Sequence, residues 1–499
     1  MNGWNAGYVT DVTYTAGWYN QQSPMMMALA CQLCSTAVPM PAADDSISLL
    51  ELGCGQGFGA MVQAASNPCW RVTAVDFNPA HIAAAREWAS EAGLTNITFL
   101  EADLATLAED PASQQIPDAD FVTMHGVWSW VPRSVQNGIV RLLRNKVRAG
   151  GAVHLSYNAL PAWGPAMGMQ RVLREAGRRL GWRSDRQAEE GLAVVKALLA
   201  AEARQLERSP FAKTLLRHLD TAPASYLAHE YMNEHWQPCF VIDVAAALSE
   251  AKLDWVGSSQ LTENFPALTL SDAQRAISDR FEDPLMRELV KDLCMDRSLR
   301  HDVFVRGARR IDNTTRDETL MNVVIGMNIH SDELPLEVEV PAGQAQFNAA
   351  FYQPIVQAAG RGAARVGDLL TLPQIEGRRD NPAELLGMLV GVNLAYPVLR
   401  PGADPQPAAQ HFNRVAARRL ARSESLHRVV GLASHRLGAG VQGTLLDLLV
   451  LDRLESGQMD VDGLLQWISP VPEDAGRVRD ALHLSLQRRM PILRNAGVY

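Results

Sequence analysis

The sequence predicts a doubly wound α/β fold, in which a mainly parallel β-sheet carries helices on both faces. Three observations support this prediction. Short apolar runs of strand length alternate with helical patterns over residues 46–160, a glycine-rich turn follows the first run, and acidic residues follow the next two. Because ligands of such folds bind at the carboxyl ends of the strands, we expect the functional site there.

The first strand breaks into a glycine run, Leu49 to Gly59, with glycine at positions 53, 55 and 57. Glycine has no Cβ and adopts positive φ at little cost, so this turn lets the backbone approach a ligand closely. We expect its amide N–H groups to be open at a helix N-terminus and to bind a carboxylate or phosphate of a nucleotide-like cofactor. The spacing of Gly55, Gly57 and Ala60 also fits a dinucleotide-binding turn.

The next elements place acidic and polar side chains at strand ends. A second strand, residues 71–75, ends at Asp76, and Asn78-Pro79 caps a helix that reaches about Ser90. Asp76 is placed to accept hydrogen bonds from ribose hydroxyls. A third strand over 96–100 leads to Asp103, and a fourth over 120–124 leads to His125.

The remaining sheet elements are separated by a long insertion. A helix over 134–148 and a strand over 152–157 continue the alternation, and strands at 253–257 and 302–306 close the sheet. Residues 161–251 read as a helical insertion that caps the substrate site or forms an oligomer contact. Since the sheet is complete by Arg306, we expect a chain cut near residue 312 to fold and to bind the cofactor.

The region beyond residue 312 is mainly helical and resembles a winged helix in its pattern of elements. The predicted units are 1–45, an N-terminal lid; 46–160, the cofactor-binding core; 161–251, the insertion; 252–312, the closing strands; 313–400, a winged-helix-like regulatory module; and 401–499, a C-terminal helical region.

Composition limits the classes of function. Forty-six basic and 55 acidic residues give a net charge of −9, which argues against nucleic acid as the main partner. We expect no membrane span and a cytoplasmic protein, because no run approaches the roughly twenty apolar residues of a span and the start lacks a signal-peptide pattern. Six cysteines are expected to be reduced thiols, and no metal site is predicted.

The glycine turn together with Glu51, Asp76 and Asp103 resembles the class I S-adenosylmethionine-dependent methyltransferases. In that family the glycine loop faces the methionine part of the cofactor, the acid after strand two binds the ribose, and the acid after strand three binds the adenine amino group. The resemblance implies the cofactor-binding residues Glu51, Gly53, Cys54, Gly55, Gly57, Asp76, Phe77, Asp103, Leu104 and His125. A dehydrogenase is the weaker alternative, because no hydride-transfer acid such as Tyr with Lys four residues on follows strand four or five.

Three further motifs narrow the resemblance to bacterial methyltransferases with a methyltransferase regulatory domain. They are residues 124–131, 156–163 and 226–238, and the similarity covers about residues 8–400. This group includes protein-lysine methyltransferases that act on outer-membrane proteins. The better-known lysine methyltransferases have a glycine in the loop after strand five where this chain has Ala162, and residues 8–19 look like those of a different branch. Lysine N-methylation of a protein is therefore the first expectation. A glycan or small-metabolite methyltransferase and a cofactor-binding regulator remain alternatives, and a homodimer is possible.

Methyl transfer requires in-line geometry and, for lysine, loss of a proton. At pH 7 about one lysine in 2,500 is neutral, a deficit of about 4.6 kcal/mol, so desolvation must assist. The resemblance and the position of aromatic and polar residues suggest His125, Tyr14 and Tyr157 as catalytic residues. The expected substrate-binding residues are Tyr19, Trp128, Trp130, Asn158, Trp163 and Tyr231.

Overall fold

The structure is a computed structural model that describes residues 7–12, 17–220, 222–377, 379–421, 425–455, 461–468 and 475–499. Seven strands form its main sheet in the order β3-β2-β1-β4-β5-β7-β6. These strands are β1 (Ser48–Leu52), β2 (Arg71–Asp76), β3 (Ile97–Glu101), β4 (Ala119–Met124), β5 (Val147–Asn158), β6 (Leu253–Ser258) and β7 (Leu299–Arg306). The pairs among β1 to β5 are parallel, whereas β7 is antiparallel to β5 and β6. The predicted doubly wound sheet and its two late strands are confirmed.

Helices cover both faces of this sheet and make up most of the remaining chain. They are α1 (Pro24–Leu33), α2 (Phe58–Ser66), α3 (Pro79–Glu91), α4 (Arg133–Lys146), α5 (Met167–Leu180), α6 (Ser184–Ala200), α7 (Arg204–Glu207), α8 (Pro210–Leu219), α9 (Ala224–Tyr231), α10 (Val241–Ser249), α11 (Pro266–Thr269), α12 (Asp272–Ser278), α13 (Pro284–Cys294), α14 (Asn313–Met321), α15 (Ala349–Arg361), α16 (Val366–Leu370), α17 (Pro382–Leu389), α18 (Pro407–Leu420), α19 (Leu445–Glu455), α20 (Val461–Ile468), α21 (Ala475–Leu484) and α22 (Met490–Asn495).

Alternate side chains of the strands enter two hydrophobic cores. Leu49 and Val72 point to the face covered by α1, α2 and α3, and Leu50 and Val122 point to the face covered by α4 and α10. Such runs are mainly apolar on both faces because a sheet with helices on both sides buries both sets of side chains. This explains why the sequence analysis could identify these strands as short apolar runs.

Helices α5 to α9 form the insertion, and they have a hydrophobic core of their own that includes Leu173, Leu216 and Leu227. Helix α10 packs instead with the sheet, since Val244 and Leu248 belong to the core beside α4. The insertion is attached to the N-terminal segment, because Val9 is buried in the same cluster.

The predicted N-terminal lid, residues 1–45, contains a core element. Helix α1 starts at the Ser23 cap, whose hydroxyl accepts from the Met26 N–H, and it is buried along nearly its whole length. The described residues ahead of it, 7–12 and 17–23, include Tyr8 beside Phe77 and Gln22, whose amide donates to Thr123 Oγ1 at 2.9 Å. A segment whose helix is buried in this way cannot move as one lid.

The C-terminal region adds seven strands in three small sheets. They are β8 (Val324–Met327), β9 (Glu337–Val340), β10 (Gly343–Gln346), β11 (Ala364–Arg365), β12 (Ala395–Pro397), β13 (Val429–Ser434) and β14 (Ala439–Thr444). The antiparallel hairpin β13–β14 was missed by the sequence analysis. The likeness of residues 313–400 to a winged helix stays a prediction.

The β13–β14 hairpin packs directly on the main domain. A Cβ at Gly431 or Gly440 would approach the Trp18 ring to 2.5 and 2.6 Å, so this contact requires glycine. The Ser66 hydroxyl at the end of α2 donates to the Ala439 carbonyl and accepts from the Ser434 N–H, both at 3.1 Å. One hydrophobic cluster extends across this contact, which argues against the expectation that a chain cut near residue 312 folds.

Candidate functional site

A glycine turn joins β1 to α2 beside the position where the strand order reverses. Gly53, Gly55 and Gly57 all have positive φ, at 72°, 53° and 72°. The N–H groups of Gly53 and Cys54 donate to the Val75 carbonyl, at 2.8 and 3.0 Å, and the Gly57 N–H donates to the Cys54 carbonyl. The expectation that these amides are open to an anion is therefore wrong. The glycines are needed for the backbone conformation instead.

Asp76 lies directly below this turn at the end of β2, with only 6% of its surface exposed. One carboxylate oxygen accepts from the Gly55 N–H at 2.8 Å, and the other accepts from the Asn78 N–H at 2.9 Å. A carboxylate has about four acceptor positions, so two remain for an outside donor such as a ribose diol. Nothing lies within 4 Å of a Cβ at Gly55, so there is open space beside Asp76.

Glu51 is a second buried carboxyl group next to the turn. Burial and then the charge of Asp76 raise the pKa of Glu51 from 4.5 to about 8, although the Ala60 N–H at the start of α2 donates to it. Glu51 is thus mainly protonated at pH 7. A cation bound next to it would favour the ionised form of Glu51, because a positive charge would offset the burial and the charge of Asp76 that keep it protonated.

Asp103 lies two residues beyond Glu101, the β3 residue that pairs in register with Asp76. It is exposed, and its Oδ1 accepts from the Ala105 N–H at 2.8 Å. Leu104 is buried, and its carbonyl oxygen lies against Gly138 of α4. Any side chain at position 138 would place a Cβ 2.1 Å from this oxygen, so the glycine is required for α4 to pack against the loop. Asp76 and Asp103 therefore follow neighbouring strands at one edge of the sheet.

Phe77 follows Asp76 and contacts the N-terminal segment. Its ring meets the Tyr8 ring edge-on, with centroids 5.8 Å apart. The pKa of Tyr8 is raised by burial and by the charges of Asp76 and Glu230. Tyr8 is therefore a neutral aromatic side chain close to Asp76, and it was not among the predicted cofactor-binding residues.

His125, after β4, stacks on Tyr19 with ring centroids 3.7 Å apart. Its Nδ1 lies 2.9 Å from the Ser156 hydroxyl, which accepts from the Gly126 N–H at 2.9 Å. Because that hydroxyl already accepts one bond, we infer that it donates its proton to Nδ1 and leaves the proton of the neutral ring on Nε2. Burial, and then His301, hold the pKa of His125 well below its usual range, so the ring is neutral at pH 7.

Two further histidines lie behind His125. Its ring is stacked on those of His301 and His154, at 5.6 and 6.5 Å, and burial lowers the pKa of both. A polar chain connects them, since His154 Nε2 lies 3.3 Å from His301 Nδ1 and His154 Nδ1 lies 3.3 Å from Thr123 Oγ1. Within the part of the chain that the structure describes, no group of three or more His, Cys, Asp or Glu could hold a metal ion.

Tyr157 points away from this site into a buried ionic network. Its hydroxyl donates to Asp302 at 2.5 Å, and Asp302 accepts from Arg300 at 2.8 and 2.9 Å. Arg300 is completely buried and also contacts Asp292 and Glu288. With its hydroxyl committed there, Tyr157 has a structural role at the end of β5, and the geometry does not support its predicted catalytic role.

The predicted substrate-binding residues fall into two groups. Tyr19 remains 36% exposed over His125, whereas the others are nine-tenths or more buried: Trp128, Trp130, Asn158, Trp163 and Tyr231. Trp130 and Trp163 both pack on Trp236 in the core of the insertion. These indoles therefore hold the insertion on the sheet, as side chains buried in a core do.

Tyr14, the third predicted catalytic residue, lies outside the described residues. Ser156 and Glu230 lie within the motifs at 156–163 and 226–238 that carry the resemblance, but the sequence analysis gave neither of them a role at the site.

A cleft of about 500 Å³ opens beside Tyr19, and the residues that line it do not include those of the glycine turn. Trp18, Tyr19 and Gln260 line it from the main domain, and Arg428 and Gln442 line it from the β13–β14 hairpin and the residue before it. The C-terminal region thus forms part of a wall near His125.

Comparisons with known proteins agree with this geometry. The model of a family described as a methyltransferase domain matches residues 49–151, and that of a predicted methyltransferase regulatory domain matches residues 223–306. A Synechocystis protein described as uncharacterized, sll1526, is 31% identical over 451 residues, which cover 90% of this chain and 87% of that protein. The Rickettsia prowazekii protein RP028 is 28% identical over 38% of this chain and 74% of its own length.

The chain belongs to the class I S-adenosylmethionine-dependent methyltransferases with a regulatory domain.

The solved structure of PKMT2 from Rickettsia typhi in complex with AdoHcy shares the fold of this methyltransferase. The TM-score is 0.69 at 16% identity, over 96% of this chain and 99% of that one. The regulatory-domain match falls on α9, α10 and the closing strands, whereas the sequence analysis gave that name to residues 313–400. Among the described residues, no helix is long and apolar enough to span a membrane.

Proposed function

We propose that this methyltransferase N-methylates lysine side chains of a protein substrate. The observation that carries the proposal is the stack of Tyr19 on neutral His125, beside the open space over Gly55 and Asp76. Aromatic faces stabilise a cationic amine and exclude water. The Rickettsia typhi protein with the same fold is a protein lysine methyltransferase, which supports the same acceptor class.

The residues around the glycine turn fit the cofactor. Asp76 has acceptor positions left for the ribose hydroxyls, and Asp103 is exposed at the next strand end for the adenine amino group. A positive charge of the methionine part would favour loss of the proton that Glu51 holds. When bound, S-adenosylmethionine supplies a methyl group on an activated sulfonium. The acceptor nitrogen forms the N–C bond as the C–S bond breaks, and its surplus proton leaves to water.

His125 orients the acceptor in this proposal and does not act as a base. A ring whose pKa lies well below its usual range is a weak proton acceptor, and Ser156 fixes its tautomer. The lysine must instead become the neutral amine before transfer, and loss of solvent around it favours that form.

Transfer from methyl-labelled cofactor into a cell lysate tests the proposal. The reacted lysate is separated into protein and small-molecule fractions, and the protein is hydrolysed to amino acids. We expect the label in the protein fraction, on methylated lysine. Label confined to small molecules or glycans, or protein label on another residue type, would overturn the proposal. A parallel reaction with the His125→Ala variant shows how much transfer depends on this site.

A further inference from the structure

Helix α9 leaves two side chains of one face partly exposed. Leu227 and Tyr231 are buried in the core of the insertion, at 4% and 3% exposure, whereas Tyr226 and Glu230 stay partly exposed. Residues four apart on a helix are neighbours on one face. A phenol ring and a carboxylate are therefore presented side by side.

Hydrogen bonds tie α9 and the residues that follow it to the N-terminal segment. The Val9 N–H donates to Asn233 Oδ1 at 2.8 Å, and His229 Nε2 lies 2.8 Å from the Val12 carbonyl. Tyr8 is held between the rings of His229, at 5.9 Å, and Phe77, at 5.8 Å. The helix is thereby anchored close to the residue that follows Asp76.

The charge of Glu230 acts on rings from three separate elements. Besides burial, it raises the pKa of Tyr8, Tyr19 and Tyr226. Two other charges act on the same rings, since Asp76 also raises the pKa of Tyr8 and Arg428 lowers that of Tyr19. Because Tyr19 stacks on His125, the carboxylate lies within electrostatic range of the place where we propose methyl transfer.

We propose that Glu230, with the rings of Tyr19 and Tyr226, receives the alkylammonium group of the acceptor lysine before that group loses its proton. Aromatic faces attract an ammonium ion, and a carboxylate adds a charge-assisted hydrogen bond. A hydroxyl acceptor would gain little from this charge, so Glu230 selects amines. The inference rests on the proposed function and makes Glu230 a specificity-determining residue of its acceptor site.

The test compares Glu230→Gln, which keeps the shape and removes the charge, with Glu230→Asp and with the matched control Glu234→Gln. Glu234 is a nearby acid, about half exposed, whose side chain lies 4.0 Å from Arg178. Saturation-transfer NMR measures n-butylammonium and its uncharged analogue 1-pentanol on each protein loaded with S-adenosylhomocysteine. Initial rates of methyl transfer to poly-L-lysine are measured in parallel, together with the S-adenosylhomocysteine Kd.

We expect n-butylammonium to bind the parent and Glu234→Gln, with at least fivefold less signal for Glu230→Gln and an intermediate signal for Glu230→Asp. The poly-L-lysine concentration for half-maximal rate should rise about tenfold in Glu230→Gln, with the S-adenosylhomocysteine Kd within twofold of the parent. Equal n-butylammonium signals in the parent and both Glu230 variants would overturn the inference. If n-butylammonium binds the parent more strongly than Glu230→Gln but the parent methylates no lysine, the proposed function is wrong while the cation-binding role of Glu230 is supported.

Discussion

Replacing Asp76 by alanine should weaken the binding of S-adenosylhomocysteine by about 1.5–3 kcal/mol, the range for a hydrogen bond to a charged group. This corresponds to an increase in Kd of about 12- to 150-fold. Asp76 also accepts from the Gly55 and Asn78 N–H groups. Its loss leaves the buried Asn78 N–H without an acceptor, so the free energy of unfolding should fall by about 1–3 kcal/mol, whereas water can replace the carboxylate at the half-buried Gly55 N–H.

Asp120→Ala separates these two effects. Asp120 accepts from the Ser48 N–H at 2.8 Å at the opposite end of β1, so it supports the same strand without facing the ligand. Calorimetry with S-adenosylhomocysteine and urea unfolding are measured on both variants. We expect both to be destabilised and only Asp76→Ala to lose affinity. An unchanged Kd in a destabilised Asp76→Ala protein would show that Asp76 only holds the turn, and it would refute the reasoning.

Four other changes test separate parts of the site. Gly55→Val fills the open space beside Asp76 and should raise the S-adenosylhomocysteine Kd at least about 100-fold, a loss of about 2.7 kcal/mol in binding free energy. If calorimetry gives a Kd within twofold of the parent's, the ligand lies elsewhere. Since the pKa of Glu51 is raised from 4.5 to about 8, the folded state holds its proton between these values and stability falls as pH rises through them. The parent should lose about 2 kcal/mol more than Glu51→Gln between pH 6 and 8 in urea unfolding, and parallel profiles would contradict this. His125→Ala should lower kcat about 10- to 100-fold while the cofactor Kd stays within twofold of the parent's. The methyl-transfer rate of the parent should still rise with pH through the neutral range, because His125 is already neutral and the acceptor amine loses its proton. A chain cut after residue 312 should be insoluble or lose its cooperative thermal transition, because Trp18 would lose the hairpin that covers it; a soluble chain with the parent's cofactor Kd would show that the main domain folds alone.

The strands and the acidic residues at their ends could be predicted because both faces of the sheet are buried. Such strands are short, mainly apolar on both faces and bounded by turn residues, as at Leu49–Leu52 and at Asp120–Met124. The helix cap at Asn78-Pro79 was also predicted from the sequence, and the Asn78 side chain accepts a hydrogen bond from the Ala80 N–H as expected.

The features that the sequence analysis missed depend on contacts between residues that are distant in the chain. The β13–β14 hairpin has glycine at 431, 440 and 443, which favours a loop by local propensity. Two of these glycines are needed because the Trp18 ring packs on them, a contact between residues some 400 positions apart. Tyr157 was predicted to be catalytic because it lies at the end of a strand. Its hydrogen-bond partner Asp302 lies on β7, and no local sequence pattern predicts a contact between residues so far apart in the chain.

The most direct test of the central claim is a crystal structure of the protein with S-adenosylhomocysteine. We expect the ribose hydroxyls on the Asp76 carboxylate, the adenine beside Asp103 and Leu104, and the sulfur directed towards the stacked rings of Tyr19 and His125. The same ligand bound in the cleft between Tyr19 and Arg428, with Asp76 contacting only its own backbone partners, would contradict the account.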